Sequence, residues 1–305
     1  MKKILLLTNL VLLCALASLT RAESSSGDTP ATEYVTPQPQ AERIAALEDS
    51  LKERQLEHQI QSLEASGGSF LALYQDAMTS STQGCVILLH SDNEHPDWPD
   101  AIAPLRDKLP EYSWCTIAIE VPDIVKRGQT TPKTLTTDSE TTETITLANQ
   151  DIVFARIQAA MTLAQNNGVD YFALAGYRTG ASYALVFLAQ NPTLANALAL
   201  IDIQAPPNIS AYQIAQFISS VPQAILDYYL SRPNRNNLFA NWRKQAAAKR
   251  QTVNGEFIQK DAIPDRARGQ DSQALLVQRV RGFLKQNTKQ ITQRRPLPQV
   301  NKGLF

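Results

Sequence analysis

Tyr171-Phe-Ala-Leu-Ala-Gly176-Tyr177-Arg178-Thr179-Gly180-Ala181-Ser182 is the stretch that decides the fold. An apolar run of strand character enters a Gly-x-x-x-Gly turn and leaves as an apolar helix. A turn this sharp needs glycine at both flanks, because its backbone presses against neighbouring chain, and its middle side chain then stands above the sheet edge. In a nucleophile elbow, Gly-x-Ser-x-Gly, that middle residue is the attacking serine. Here it is Arg178. A guanidinium stays protonated and has no lone pair to give a carbonyl carbon, so it is no nucleophile. It suits a carboxylate or phosphate beside a helix N-terminus. The pattern predicts ligand-binding groups at Tyr177 and Arg178, on a scaffold set by Gly176 and Gly180.

Outward from the turn, strands alternate with helices. Upstream, 58–65 and 69–74 read as two strands joined at Gly67-Gly68, a hairpin signal. The continuous apolar runs 84–90 and 113–121 read as strands buried on both faces. Helices are expected at 41–57, 99–109 and 151–165, the last stopping at Asn167-Gly168. The elbow supplies strand 171–175 and helix 180–190. Downstream follow strand 197–203, helix 210–219, strand 223–230, helix 235–249, strand 253–260 and helix 271–286. This alternation predicts an α/β fold: a three-layer sandwich around a mostly parallel sheet of about eight strands, opened by an N-terminal hairpin and α/β-hydrolase-like.

Such a hydrolase needs an acid and a histidine after its nucleophile, in that chain order. The three histidines, at 58, 90 and 95, all precede the elbow. Segment 231–237 carries no carboxylate, and Asp227, the nearest acid, falls within a strand. Nucleophile, acid and base are missing together. The loop His90-Ser-Asp-Asn-Glu-His95-Pro-Asp-Trp98-Pro99 leaves the strand that would carry the oxyanion loop. His90, Asp92, His95 and Trp98 are its candidate ligand-binding residues. Alternative chemistry would use Ser91 or Ser182 as nucleophile with His90 or His95 as base, or a metal on His90, Asp92, Glu94 and His95. The spacing matches no metal motif, and no cofactor is implied.

Lys2 and Lys3, an apolar run over 4–16 and small residues near Ala17 and Ala22 form a signal peptide over 1–22, too short for a membrane span. A lipid-anchored reading would use Cys14, after the bulky Leu13. Residues 23–40, rich in Ser, Thr and Pro, read as a flexible tether. The domain is expected over 41–288 with a Thr-rich insert at 126–150, a lid or a disordered stretch, and a tail over 289–305. Cys85 and Cys115 each open an apolar strand, so a disulfide or two buried thiols are both open readings. From Arg232 onward there are 16 Lys/Arg against 4 Asp/Glu, a net of +12; residues 23–231 carry 10 against 25, a net of −15. The basic part either meets an anionic envelope surface or folds against the acidic part. Nucleic acid is not expected, since no recognition motif is present.

The His-Pro-Asp-Trp-Pro loop, the Ser-Trp-Cys-Thr-Ile-Ala-Ile-Glu-Val-Pro strand, the Ala-Gly-Tyr-Arg-Thr-Gly-Ala turn, Ile-Leu-Asp-Tyr and Arg-Val-Arg-Gly-Phe-Leu-Lys resemble an exported bacterial family, domain of unknown function 3530, over 41–286. The resemblance implies an α/β-hydrolase-like fold and a periplasmic home, and no substrate. The reading is a periplasmic, non-catalytic protein that binds an anionic small ligand or envelope component near Arg178. A hydrolase using the 90–98 loop and a structural envelope protein are the rivals.

Overall fold

The computed structural model describes residues 40–124, 145–207, 209–230, 237–251, 255–262 and 273–288. A hairpin, β1 (Ile60–Ala65) and β2 (Gly68–Gln75), opens the sheet antiparallel. β3 (Gly84–Leu89), β4 (Trp114–Ile119), β5 (Phe172–Tyr177), β6 (Ala197–Ile201), β7 (Ala224–Leu230) and β8 (Phe257–Ala262) continue it in parallel. The strand order is β1-β2-β4-β3-β5-β6-β7-β8, which places the elbow strand β5 at the centre. β3, β4, β5 and β6 are buried along their whole length. That is why they are continuous apolar runs and do not alternate.

α1 (Gln40–Glu53), α2 (Ile102–Lys108) and α7 (Gln273–Asn287) cover one face, with Leu51, Leu105 and Val280 against Leu88 and Ala175. α3 (Gln150–Asn166), α4 (Thr179–Gln190), α5 (Ala211–Gln216) and α6 (Leu238–Ala248) cover the other, where Ile157 and Phe187 meet Ile87 and Leu174. Every residue of α4 from Thr179 to Leu188 is buried, so this helix is apolar all round. The chain therefore has the expected three-layer, α/β-hydrolase-like fold.

Several boundaries differ from the expectation, each for a local reason. Residues 57–59 form a 3-10 turn and no strand, because Gln59 is buried against Arg106. α2 begins only at Ile102, after the Pro99-containing turn, and its last turn tightens into a 3-10 helix at Leu109–Tyr112. α5 tightens likewise into 3-10 turns at Phe217–Ser220. Gln40, assigned to the tether, is the first residue of α1 and hydrogen-bonds Glu120 and Asp123. The Thr-rich insert ends sooner than expected: Leu147 is buried in the core and Gln150 starts α3. The rest of that insert, the signal region, residues 23–39 and the tail lie outside the described residues.

Candidate functional site

The elbow is built by steric exclusion. A Cβ on Gly176 would lie 2.4 Å from the Ala181 Cα, and one on Gly180 would lie 2.4 Å from the carbonyl oxygens of Leu89 and His90. Both contacts are with backbone, so only glycine lets α4 fold this closely over β5 and β3. The cost is concentrated at Arg178, whose φ of 48° and ψ of −115° lie where side-chain-bearing residues are strained. Its N–H donates to the Ile201 carbonyl, and its own carbonyl accepts from Ala181 and Gln204. The turn is thus fixed from both neighbouring elements, and the middle side chain is presented as an elbow presents a nucleophile.

The guanidinium of Arg178 lies between two carboxylates, Nη1 at 3.6 Å from Glu94 Oε1 and Nε at 3.8 Å from Asp202 Oδ2. Both separations exceed a hydrogen bond. The group is about one third exposed and rests on the Tyr177 ring, 4.8 Å from its centroid. Tyr177 itself is buried, with its hydroxyl 3.4 Å from Asp100, and burial pushes its phenol well above the usual tyrosine range. Glu94 is buried, which lifts its carboxyl to about 7 despite the Ser91 N–H and the nearby Arg178, which both favour the charged form. Neither Glu94's contact with Arg178 nor Asp202 was anticipated from sequence.

The 90–98 loop is committed to its own architecture. Four consecutive N–H groups have internal acceptors: Ser91 donates to Glu94 Oε2, Asp92 to Thr179 Oγ1, Asn93 to Asp123 Oδ1 and Glu94 to the Ser91 carbonyl. An N–H from this loop is what a hydrolase of this fold aims at a developing oxyanion. His90 donates from Nδ1 to the Ser91 carbonyl and accepts the Val121 N–H at Nε2. Full burial drives its pKa down to about 3, so it is neutral. With both ring nitrogens taken by backbone, His90 can serve as neither base, metal ligand nor ligand-binding group, which corrects that expectation.

The other candidates separate in the same way. Ser182 is fully buried and donates to the Gln204 carbonyl, so it is no surface nucleophile. Ser91 is buried with its hydroxyl 3.1 Å from that of Thr179. Asp92 is half-buried and accepts from the Ile124 N–H and the Asn93 amide. His95 accepts the Asp97 N–H at Nδ1 and meets Trp98 edge-on at 5.2 Å, and burial lowers its pKa. No group of three or more potential metal ligands occurs among the described residues. Cys85 and Cys115 are direct partners on β3 and β4 and are joined by a disulfide, Cα to Cα 4.4 Å.

Three side chains that sequence reading passed over hold the loop in place. Arg106, wholly buried, binds Asp97 through Nε and Nη2, and Arg54 at the end of α1 binds the other Asp97 oxygen. Arg43 on α1 donates to the Glu94 carbonyl and pairs with Asp123 at 2.6 Å. The contacts of Arg43 and Arg54 span 43 to 80 residues of sequence and that of Arg106 spans nine, and no local pattern announces them.

On the far side of the sheet, at β7, Asp227 is fully buried and paired with Arg243 of α6 at 2.9 Å, with Gln259 of β8 on the same oxygen. Its strand position and its partner remove it from the elbow.

Residues 2–286 match the family described as "Protein of unknown function (DUF3530)". The chain belongs to this family. No curated protein matches the sequence. Among solved structures, Est1E from Butyrivibrio proteoclasticus aligns with a TM-score of 0.52 at 11% identity, covering 75% of this chain and 98% of that one. A dienelactone hydrolase from Anabaena variabilis gives 0.51 at 13%, covering 76% and 100%. The esterase Pf2001 of Pyrococcus furiosus gives 0.52 at 11%, covering 75% and 90%. At such identities the likeness shows the fold alone, and this member of the family has an α/β-hydrolase-like fold without the serine at its elbow.

Proposed function

We propose that this protein is an exported, periplasmic member of its fold class that performs no acyl transfer and binds an anionic ligand or envelope component at Arg178. The observation that carries the reading is the elbow itself. Its strained backbone presents a guanidinium, while the loop N–H groups that would stabilise an oxyanion are given to Glu94, Thr179, Asp123 and Ser91. Glu94 and Asp202 stand beyond hydrogen-bond length, so the planar fork of Arg178 keeps donors for a carboxylate or phosphate. Localisation rests on the signal-like first 22 residues.

The test is calorimetric binding of short-chain dicarboxylates and phosphate monoesters, beside an activated-ester turnover assay. Binding is expected to be lost in Arg178→Ala, with no turnover by either protein. It should tighten as pH falls. Ionised Glu94 competes for Arg178 and repels an anion, and it is neutralised below about 7, so affinity should rise roughly tenfold from about pH 8 to 6. Binding indifferent to Arg178→Ala would refute the reading.

One observation favours the rival, hydrolysis by a non-standard group: a buried carboxyl with its pKa near neutrality is suited to acid–base work. Ester turnover abolished by Glu94→Gln would establish it.

A further inference from the structure

α5 and α6 pack side by side on one face of the sheet, where Arg243 of α6 pairs with Asp227 of β7 and the Ala240 carbonyl accepts from Gln259 of β8. Along α6, Leu238, Trp242, Gln245 and the cap residue Lys249 follow at i, i+4, i+7 and i+11 on one stripe, all exposed but Trp242, which is half-buried. The opposite stripe, Ala240, Arg243 and Ala246, is buried. Tyr212 of α5 stands against Trp242, ring centroids 5.6 Å apart and nearly perpendicular. Tyr212 and Leu238 are 48% and 40% exposed, two of the three exposed large hydrophobic residues among those described. Lys249 reaches across the seam to Gln216, and Lys244 is exposed on the flank. Neither 211–220 nor 238–249 contains a carboxylate, although the mature chain is acidic as a whole.

Leucine with Trp and Tyr, rimmed by lysines and free of acids, is the composition of a surface that enters a lipid headgroup layer. We infer that the α5–α6 face docks on an anionic lipid surface, with Leu238, Trp242 and Tyr212 entering the headgroup layer and Lys244 and Lys249 facing its phosphates. This is independent of the ligand read at Arg178. A lipid surface satisfies the rings and the cations at once, since Tyr and Trp bury an apolar body while their polar tips stay wet.

The experiment uses the full chain with phosphatidylcholine vesicles and with vesicles containing phosphatidylglycerol. Partition is measured by co-sedimentation, and Trp242 emission is taken as the difference from a Trp242→Phe variant. Partition and a blue shift are expected on the anionic vesicles alone, weakening as salt rises. The double variant Leu238→Ala/Trp242→Ala should lower partition at least about tenfold, and Lys244→Glu/Lys249→Glu should lower it on anionic vesicles. Leu238, Lys244 and Lys249 are exposed and Trp242 is half-buried against Tyr212; the circular dichroism of each variant should match that of the unaltered protein. Equal partition to both vesicles, an unshifted Trp242, or unchanged partition of the double variant would each overturn the inference. The last outcome would assign any binding to segments such as 1–22 that all variants share.

Discussion

The elbow at the end of β5 and Asp227 in the middle of β7 hold their charged side chains in opposite ways. At the elbow the backbone is costly and the side chain is open: two glycines without room for a Cβ, a strained Arg178, and a guanidinium held loosely. At β7 the backbone is an ordinary strand and the side chains are sealed: Asp227 and Arg243 are buried in a close pair. Strain persists only where surrounding structure over-determines it, and it clusters at binding and catalytic sites. A tight buried pair, by contrast, is a packing device. The difference teaches that function in this molecule is to be sought at the elbow, and that β7 has become part of the core.

Substitutions can break that contrast. The largest effect is expected at the sealed pair, where Asp227→Ala leaves Arg243 buried without its partner and should cost about 3–5 kcal/mol in denaturant unfolding. Replacing both by Leu and Met should recover most of the loss; failure to recover would mean the pair does more than fill space. Next comes Gly180→Ala, whose methyl would strike the carbonyls of Leu89 and His90 and should cost about 3 kcal/mol. Gly282→Ala in α7, where a Cβ meets nothing within 4 Å, should instead stabilise by about 0.5–1 kcal/mol. Of similar size, and most telling, is Arg178→Gly. Relief of the φ 48° strain should raise stability by about 1 kcal/mol, while abolishing ligand binding. A destabilised Arg178→Gly would show that the arginine is a structural strut.

The elbow was legible in sequence because its information is local: an apolar run, two glycines at fixed spacing and an apolar helix lie within twelve consecutive residues. The β–α rhythm was legible for the same reason, since buried parallel strands must be apolar throughout. His90 was misread because its partners are backbone groups of Ser91 and Val121, which any residue could supply. The wiring by Arg43, Arg54 and Arg106 was hidden because a charged residue on or beside a helix looks the same whether it faces water or a neighbouring loop. Glu94 showed as a possible ligand, but its proximity to Arg178 depends on how tightly α4 closes over β3.

The disulfide between Cys85 and Cys115 sits at the start of β3 and β4, at the opposite end of β3 from the elbow. It closes a covalent ring around α2 and the whole 90–98 loop, a constraint worth about 3.5 kcal/mol in the unfolded chain. A protease that nicks any bond within that ring opens the circle without parting the molecule. The two pieces would run as one band until reduced, and Glu94 and Arg178 would still belong to a single covalent body.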